Sequence, residues 1–160
     1  MLIGVVADTH DNLPKLEQAL ARFKAAGVEL VLHAGDFVSP FVAVPFKEAG
    51  LPVIGVFGNN DGDKLFLRER FSGLGELHHG PHELELAGRK IVLMHEPRAL
   101  PALAASGKYD LLIYGHTHKQ DLRPGPPLIL NPGECGGWLS GQASCAIVDL
   151  TTLKTELVPI

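Results

Sequence analysis

Cysteine is scarce in this sequence. Among 160 residues there are two, Cys135 and Cys145, and they form no C-x-x-C pair. That excludes a disulfide framework and a thiolate-rich zinc site, and the two thiols are expected to be reduced, as in a cytosolic protein, with one disulfide as the alternative. Long apolar runs are missing as well. No stretch approaches the roughly 20 residues that span a bilayer, and Met1 to Ala7 meets Asp8 without a basic leader. The expectation is a cytoplasmic protein with no membrane partner. Excess positive charge is also absent: 14 Lys and Arg face 18 Asp and Glu, for a formal charge of −4, which argues against nucleic acid as the main partner. There is no G-x-S-x-G elbow, no G-x-x-x-x-G-K-[ST] loop and no G-x-G-x-x-G fingerprint. Serine hydrolase, NTPase and dinucleotide-binding readings are therefore disfavoured. No repeat, linker or low-complexity segment divides the chain. With 46% apolar and 20% charged residues it reads as one globular domain over residues 1–160.

What is present is a series of short apolar runs, each ending in a polar loop. Leu2 to Ala7 reads as a strand buried on both faces. Asp8-Thr9-His10 follows, then a helix with Asn12 as cap, Pro14 in its first turn and Leu13, Leu16, Leu20 and Phe23 on one face. Val28 to His33 predicts a second strand, running into Gly35-Asp36. A helix is expected between Pro40 and Ala49, kinked or restarted at Pro45. Pro52 to Phe57 predicts a third strand that ends in Gly58-Asn59-Asn60-Asp61, followed by a short helix from Lys64 to Arg70. From there strands dominate. A hairpin pairs His82–Leu86 with Lys90–Met94 and ends at His95, a helix spans Arg98 to Ser106, and Leu111 to Tyr114 leads into Gly115-His116-Thr117-His118. Pro127 to Leu130, Ser144 to Asp149 and Leu153 to Pro159 complete the strands. The pattern is that of an α/β domain with mixed sheets and flanking helices.

Five of these strand-end loops carry metal-ligand chemistry: Asp8 and His10; Asp36; Asn59, Asn60 and Asp61; His95; His116 and His118. In sheet-based α/β domains, ligands bind beyond the carboxyl ends of the strands. Taken singly, Asp8 could cap a turn and Asp36 could start a helix. Seven candidates, Asp8, His10, Asp36, Asn59, His95, His116 and His118, exceed what one cation needs. Mixed oxygen and nitrogen donors suit two divalent ions sharing a carboxylate, with manganese, nickel, iron or zinc preferred over calcium or magnesium.

This ordered set resembles the motifs of the calcineurin-like metallophosphoesterases, and the short chain is similar to the small YfcE-type phosphodiesterase branch. The resemblance implies a sandwich of two mixed β-sheets flanked by helices. It implies one metal on Asp8, His10, Asp36 and His118 and another on Asp36, Asn59, His95 and His116. It further implies a phosphodiesterase acting by attack of a metal-bridging hydroxide on a small-molecule phosphodiester. Asn59, Asn60, His95 and Asp61 would take part in catalysis, with Asp61 or carbonyls near His95 hydrogen-bonding the ligand imidazoles. Small members of the family often self-associate, so a homo-oligomer is an expectation. Two alternatives remain open, a protein-interaction scaffold on the same fold and a phosphomonoesterase or nucleotidase.

Two positions depart from the family pattern. Where a histidine or cysteine often follows the metal-binding asparagine, this chain has Asn60, which can donate a hydrogen bond but cannot transfer a proton. Where serine often follows the glycine of Asn131-Pro132-Gly133, this chain has Glu134. Outside the motif set, His33 is expected to be a hydrogen-bonded core residue. His78, His79 and His82 are read as a solvated loop, and Trp138 as part of the site rim or a subunit contact.

Overall fold

The computed structural model describes residues 1–160. The first strand β1 (Leu2–Val6) lies in a six-stranded sheet with β2 (Leu30–His33), β3 (Val53–Val56), β4 (Gly75–His78), β10 (Ser144–Asp149) and β11 (Lys154–Pro159), in the order β11-β10-β1-β2-β3-β4. Strands β1 to β4 run parallel, while β10 and β11 are antiparallel additions on the β1 edge. The second sheet has five strands in the order β5-β6-β7-β9-β8, formed by β5 (His82–Leu86), β6 (Arg89–Leu93), β7 (Leu111–Ile113), β8 (Gln120–Arg123) and β9 (Leu128–Pro132). Both sheets are mixed, since β6, β7 and β9 are parallel and β5 and β8 pair antiparallel at the edges.

The period-two alternation of each strand sorts its residues between two cores. Ile3, Val5 and Ala7 face Ile91, Leu93, Leu111 and Ile113 in the layer between the sheets. Val6, Val31 and Val53 face outward onto the helices α1 (Leu13–Ala26), α2 (Ala43–Ala49) and α3 (Lys64–Phe71). The remaining helix, α4 (Leu100–Ala105), covers the outer face of the second sheet through Leu100, Val92, Leu112 and Ile129. One domain therefore results, layered helix, sheet, sheet, helix. Helix α1 approaches β1 closely enough that a Cβ on Gly4 would stand 2.6 Å from the Phe23 ring.

Pro45 does not kink a longer helix. A 3-10 turn at Pro40–Val42 gives way to α2, and Pro45 falls in the first turn of α2, where no intrahelical partner for an N–H is required. The cluster around Gly80-Pro81 is not simply a solvated loop. His78 lies on β4 and His82 on β5, and their rings stack at 3.7 Å. His33 is fully buried, and its Nδ1 accepts from Gly35 N–H at 3.2 Å. That leaves its Nε2 to bond the Thr9 hydroxyl at 3.1 Å. Both cysteines are buried and unpaired. No helix is long and apolar enough to cross a membrane.

Candidate metal centre

Parallel strands deliver their carboxyl ends to one side of each sheet, so the loops after β1, β2 and β3 in one sheet and after β6 and β7 in the other meet across the sandwich. The meeting is held by backbone bonds that join loop to loop. Asp8 N–H donates to Gly35 O at 3.0 Å, His10 N–H to Asp36 O at 3.1 Å, and Gly115 N–H to His95 O at 3.1 Å.

The loops are tight, and the backbone registers it. Asp8 (φ 53°), His10 (φ 44°), Asp36 (φ 61°), His116 (φ 68°) and His118 (φ 58°) all occupy the left-handed region. For an L-residue that conformation costs about 1 kcal/mol or more. Five of the seven predicted ligands share it, so their side chains are aimed by strained turns. Two glycines make the approach possible. A Cβ on Gly35 would lie 2.6 Å from His95 Nδ1, and one on Gly58 would overlap the Asp36 carboxylate.

All seven candidates converge, and their contacts form a continuous path. His118 Nε2 lies 3.7 Å from Asp8 Oδ1, and His10 Nε2 stands 4.0 Å from that oxygen and 3.6 Å from Asp36 Oδ2. His95 Nε2 is 3.5 Å from Asp36 Oδ2 and 2.8 Å from Asn59 Oδ1, and His116 Nδ1 reaches Asn59 Oδ1 at 3.0 Å. Asp8, His10 and His118 form one group able to hold a cation; Asp8, Asp36 and His95 form another. The two carboxylates do not connect these groups equally. Asp8 approaches His95 at Nδ1, 4.0 Å away, yet that nitrogen also faces Ala34 O at 2.8 Å and must carry the proton. Nε2, the nitrogen left with a lone pair, points at Asp36.

The donor set fits divalent cations. Burial pushes the His95 pKa down, which favours the neutral ring. Its Nε2 lone pair and the Asn59 amide oxygen are then two acceptors at 2.8 Å, an arrangement satisfied by a cation between them. Atoms sharing one cation at about 2.0–2.2 Å lie roughly 3–3.5 Å apart, close to these separations. His10 Nε2, which faces both carboxylates, is buried and has no hydrogen-bond partner. Burial, followed by the Asp36 carboxylate, pushes Asp8 up to about 8, a penalty that a cation between the two carboxylates would reverse.

Several supporting residues sit differently from expectation. Asp61 does not bond an imidazole. It is almost fully buried, and its two oxygens accept from Val38 N–H and Gly58 N–H, each at 2.7 Å, so it ties the Asp36 and Asn59 loops together. Burial, the largest influence on it, raises its pKa. The carbonyl of Ala34 takes the imidazole role, on His95. Asn60 turns inward to Asp36: its N–H donates to Oδ1 and its amide to Oδ2, both at 2.8 Å.

Glu134 is the supporting residue whose role the sequence concealed. Its fully buried carboxylate accepts from the N–H groups of Trp138, Leu139 and Ser140 and stands 3.3 Å from His118 Nδ1. At that distance the carboxylate faces His118 Nδ1, which has no other polar partner. Burial raises the Glu134 pKa, but the N–H donors of Ser140 and Leu139 outweigh it and bring the carboxyl down to about 2. Asn131 braces the other side of the loop, donating to Gly115 O and Thr117 Oγ1 at 3.0 Å each. Trp138, largely exposed on the rim, donates its indole N–H to His10 O.

Known proteins resemble this chain in sequence and fold. A phosphodiesterase of Methanocaldococcus jannaschii is 37% identical over 154 residues, 93% of either chain. A solved archaeal phosphodiesterase superposes over the whole of both chains with a TM-score of 0.94 at 34% identity. YfcE, a phosphoesterase from E. coli, shares the fold at a TM-score of 0.66 and 22% identity, with 100% of both chains covered. The model of the calcineurin-like phosphoesterase superfamily domain matches residues 1–153, and the chain belongs to that superfamily.

Proposed function

We propose that the protein is a metal-dependent phosphodiesterase acting on small-molecule diesters, with two divalent cations held by Asp8, His10, Asp36, Asn59, His95, His116 and His118. The observation that carries this reading is the unbroken path of lone-pair donors from His118 to His116, drawn from five strand ends. The name of the relative that is 37% identical, a phosphodiesterase, favours a diester over a monoester substrate. Asp36 is the shared ligand in this reading, because its Oδ2 lies 3.6 Å from His10 Nε2 and 3.5 Å from His95 Nε2. Bound there, the cations would neutralise phosphate charge and lower the pKa of a water for attack on phosphorus.

The chain's own groups supply orientation. His116 N–H holds Asp8, Asn60 holds Asp36, and Ala34 O fixes the His95 tautomer. No proton donor stands at Asn60, so the leaving group departs unassisted by that side chain. Activated aryl diesters are then better substrates than alkyl diesters. The buried, unpaired thiols fit a reducing, cytosolic setting.

The test strips the protein of metal, adds back manganese or nickel, and follows bis-p-nitrophenyl phosphate beside p-nitrophenyl phosphate. Metal-dependent release from the diester is expected. Inertness toward both substrates with every divalent metal tried would leave an interaction module on this fold as the better reading.

A further inference from the structure

A cleft of about 390 Å³ opens directly beside Asn59 and His95. One wall is the loop after β3 with the first turn of α3; the other is the loop after β6 with the 3-10 turn Pro97–Ala99. Its remaining lining includes Phe57, Met94 and the Gly80-Pro81 link between the two sheets. The cleft is of ligand-binding size, at the low end of what small-molecule sites use. It is also the space into which a group attached to a phosphate at Asn59 and His95 can extend.

Two cations share this cleft, Lys64 and Arg98. Arg98 pairs through Nε with Glu96, which leaves the outer edge of a largely exposed guanidinium available. Lys64 stands 5.7 Å over the Phe57 ring. The side-chain cations in the chain's salt bridges, histidines aside, are Arg89, Arg98 and Arg123, so the Lys64 ammonium has no carboxylate partner. Two cations against one carboxylate leave the cleft positive. A lysine point charge and an arginine fork together are the usual protein answer to a phosphate group.

We infer that this cleft receives the substrate arm next to the scissile diester, and that Lys64 and Arg98 bind a second phosphate carried on that arm. The inference rests on the phosphodiesterase reading for its placement. It names the substrate class as a diester bearing an additional phosphate monoester, as on a sugar hydroxyl one residue away from the cleaved bond.

The experiment compares thymidine 5′-(p-nitrophenyl phosphate) with the same compound carrying a 3′-phosphate, on manganese-loaded protein. The wild type should favour the phosphorylated substrate by about tenfold in kcat/KM, the scale of one or two charge-assisted contacts. In the Lys64→Ala, Arg98→Ala double variant that ratio should fall to about one, while turnover of bis-p-nitrophenyl phosphate stays unchanged. Equal kcat/KM in the wild type, or a preference retained in the variant, overturns the inference. Calorimetry with thymidine 5′-phosphate and thymidine 3′,5′-bisphosphate reads the cleft separately, even if no diester is turned over. Tighter binding of the bisphosphate, lost in the double variant, supports the second-phosphate site; equal affinities overturn it. Absence of all hydrolysis would count against the proposed function instead.

Discussion

Two histidine-rich regions lie in the same protein and differ in every respect that matters for metal chemistry. His10, His95, His116 and His118 sit on loops at strand ends, three of them in left-handed backbone, with two buried carboxylates and an amide oxygen among them. His78 and His82 sit in regular strands, their rings stacked face to face, with a mostly exposed Glu76 bonding His78. In the first region the nitrogens converge on acceptors and two are left without partners. In the second the rings meet face to face instead of aiming lone pairs at a common point. A count of histidines does not make a metal site; convergence enforced by strained turns does.

The largest expected effect is at Asp36. Asp36→Ala should lower diester turnover on the order of 10³-fold or more and remove most bound metal, because in the proposed centre both cations would lose a ligand. The metal-free variant should melt within a few degrees of metal-free wild type, since relief of repulsion on Asp8 offsets loss of the two Asn60 hydrogen bonds. A large drop in its melting temperature would mean that Asp36 acts mainly as a structural residue. His116→Ala should cost about 10²-fold in turnover and reduce metal content from two equivalents toward one, as read by elemental analysis. Glu134→Gln should weaken one of the two metal equivalents by about 10–100-fold, the range for a group beside a ligating histidine. Manganese titration monitored by fluorescence of Trp138, the sole tryptophan, measures it. Unchanged affinity would confine Glu134 to holding the 138–140 turn.

Asn60→His should raise turnover of an alkyl diester by about tenfold, below what a well-placed acid usually gives, because the amide contact to Asp36 disappears with it. An unchanged alkyl rate would show that leaving-group protonation is not what Asn60 lacks. The smallest effect belongs to the other cluster. His78→Ala with His82→Ala should leave metal content and turnover unchanged and shift stability by about 1 kcal/mol or less. Lost activity there would erase the distinction between the two regions.

The seven candidate ligands could be read as one group because each follows a strongly apolar run, so that their order along the chain places them at neighbouring strand ends. The sheet edges were harder to read. Strands β4 and β8 leave little trace in the sequence, because edge strands such as Gln120–Arg123 bury little and carry no apolar run. Roles that depend on a partner far away in sequence were also hidden. Nothing local in Glu134 indicates His118 or the turn at Trp138, and nothing in Asp61 indicates Val38. The inward turn of Asn60 onto Asp36 likewise emerges only when the loops after β2 and β3 are brought together.

Metal stoichiometry tests the account most directly. Equilibrium dialysis against manganese, followed by elemental analysis, should find two ions per chain in the wild type, fewer than one in Asp36→Ala, and two again in the His78, His82 double variant. A wild type that holds no ion, or one whose ions depend on His78 and His82, would contradict it.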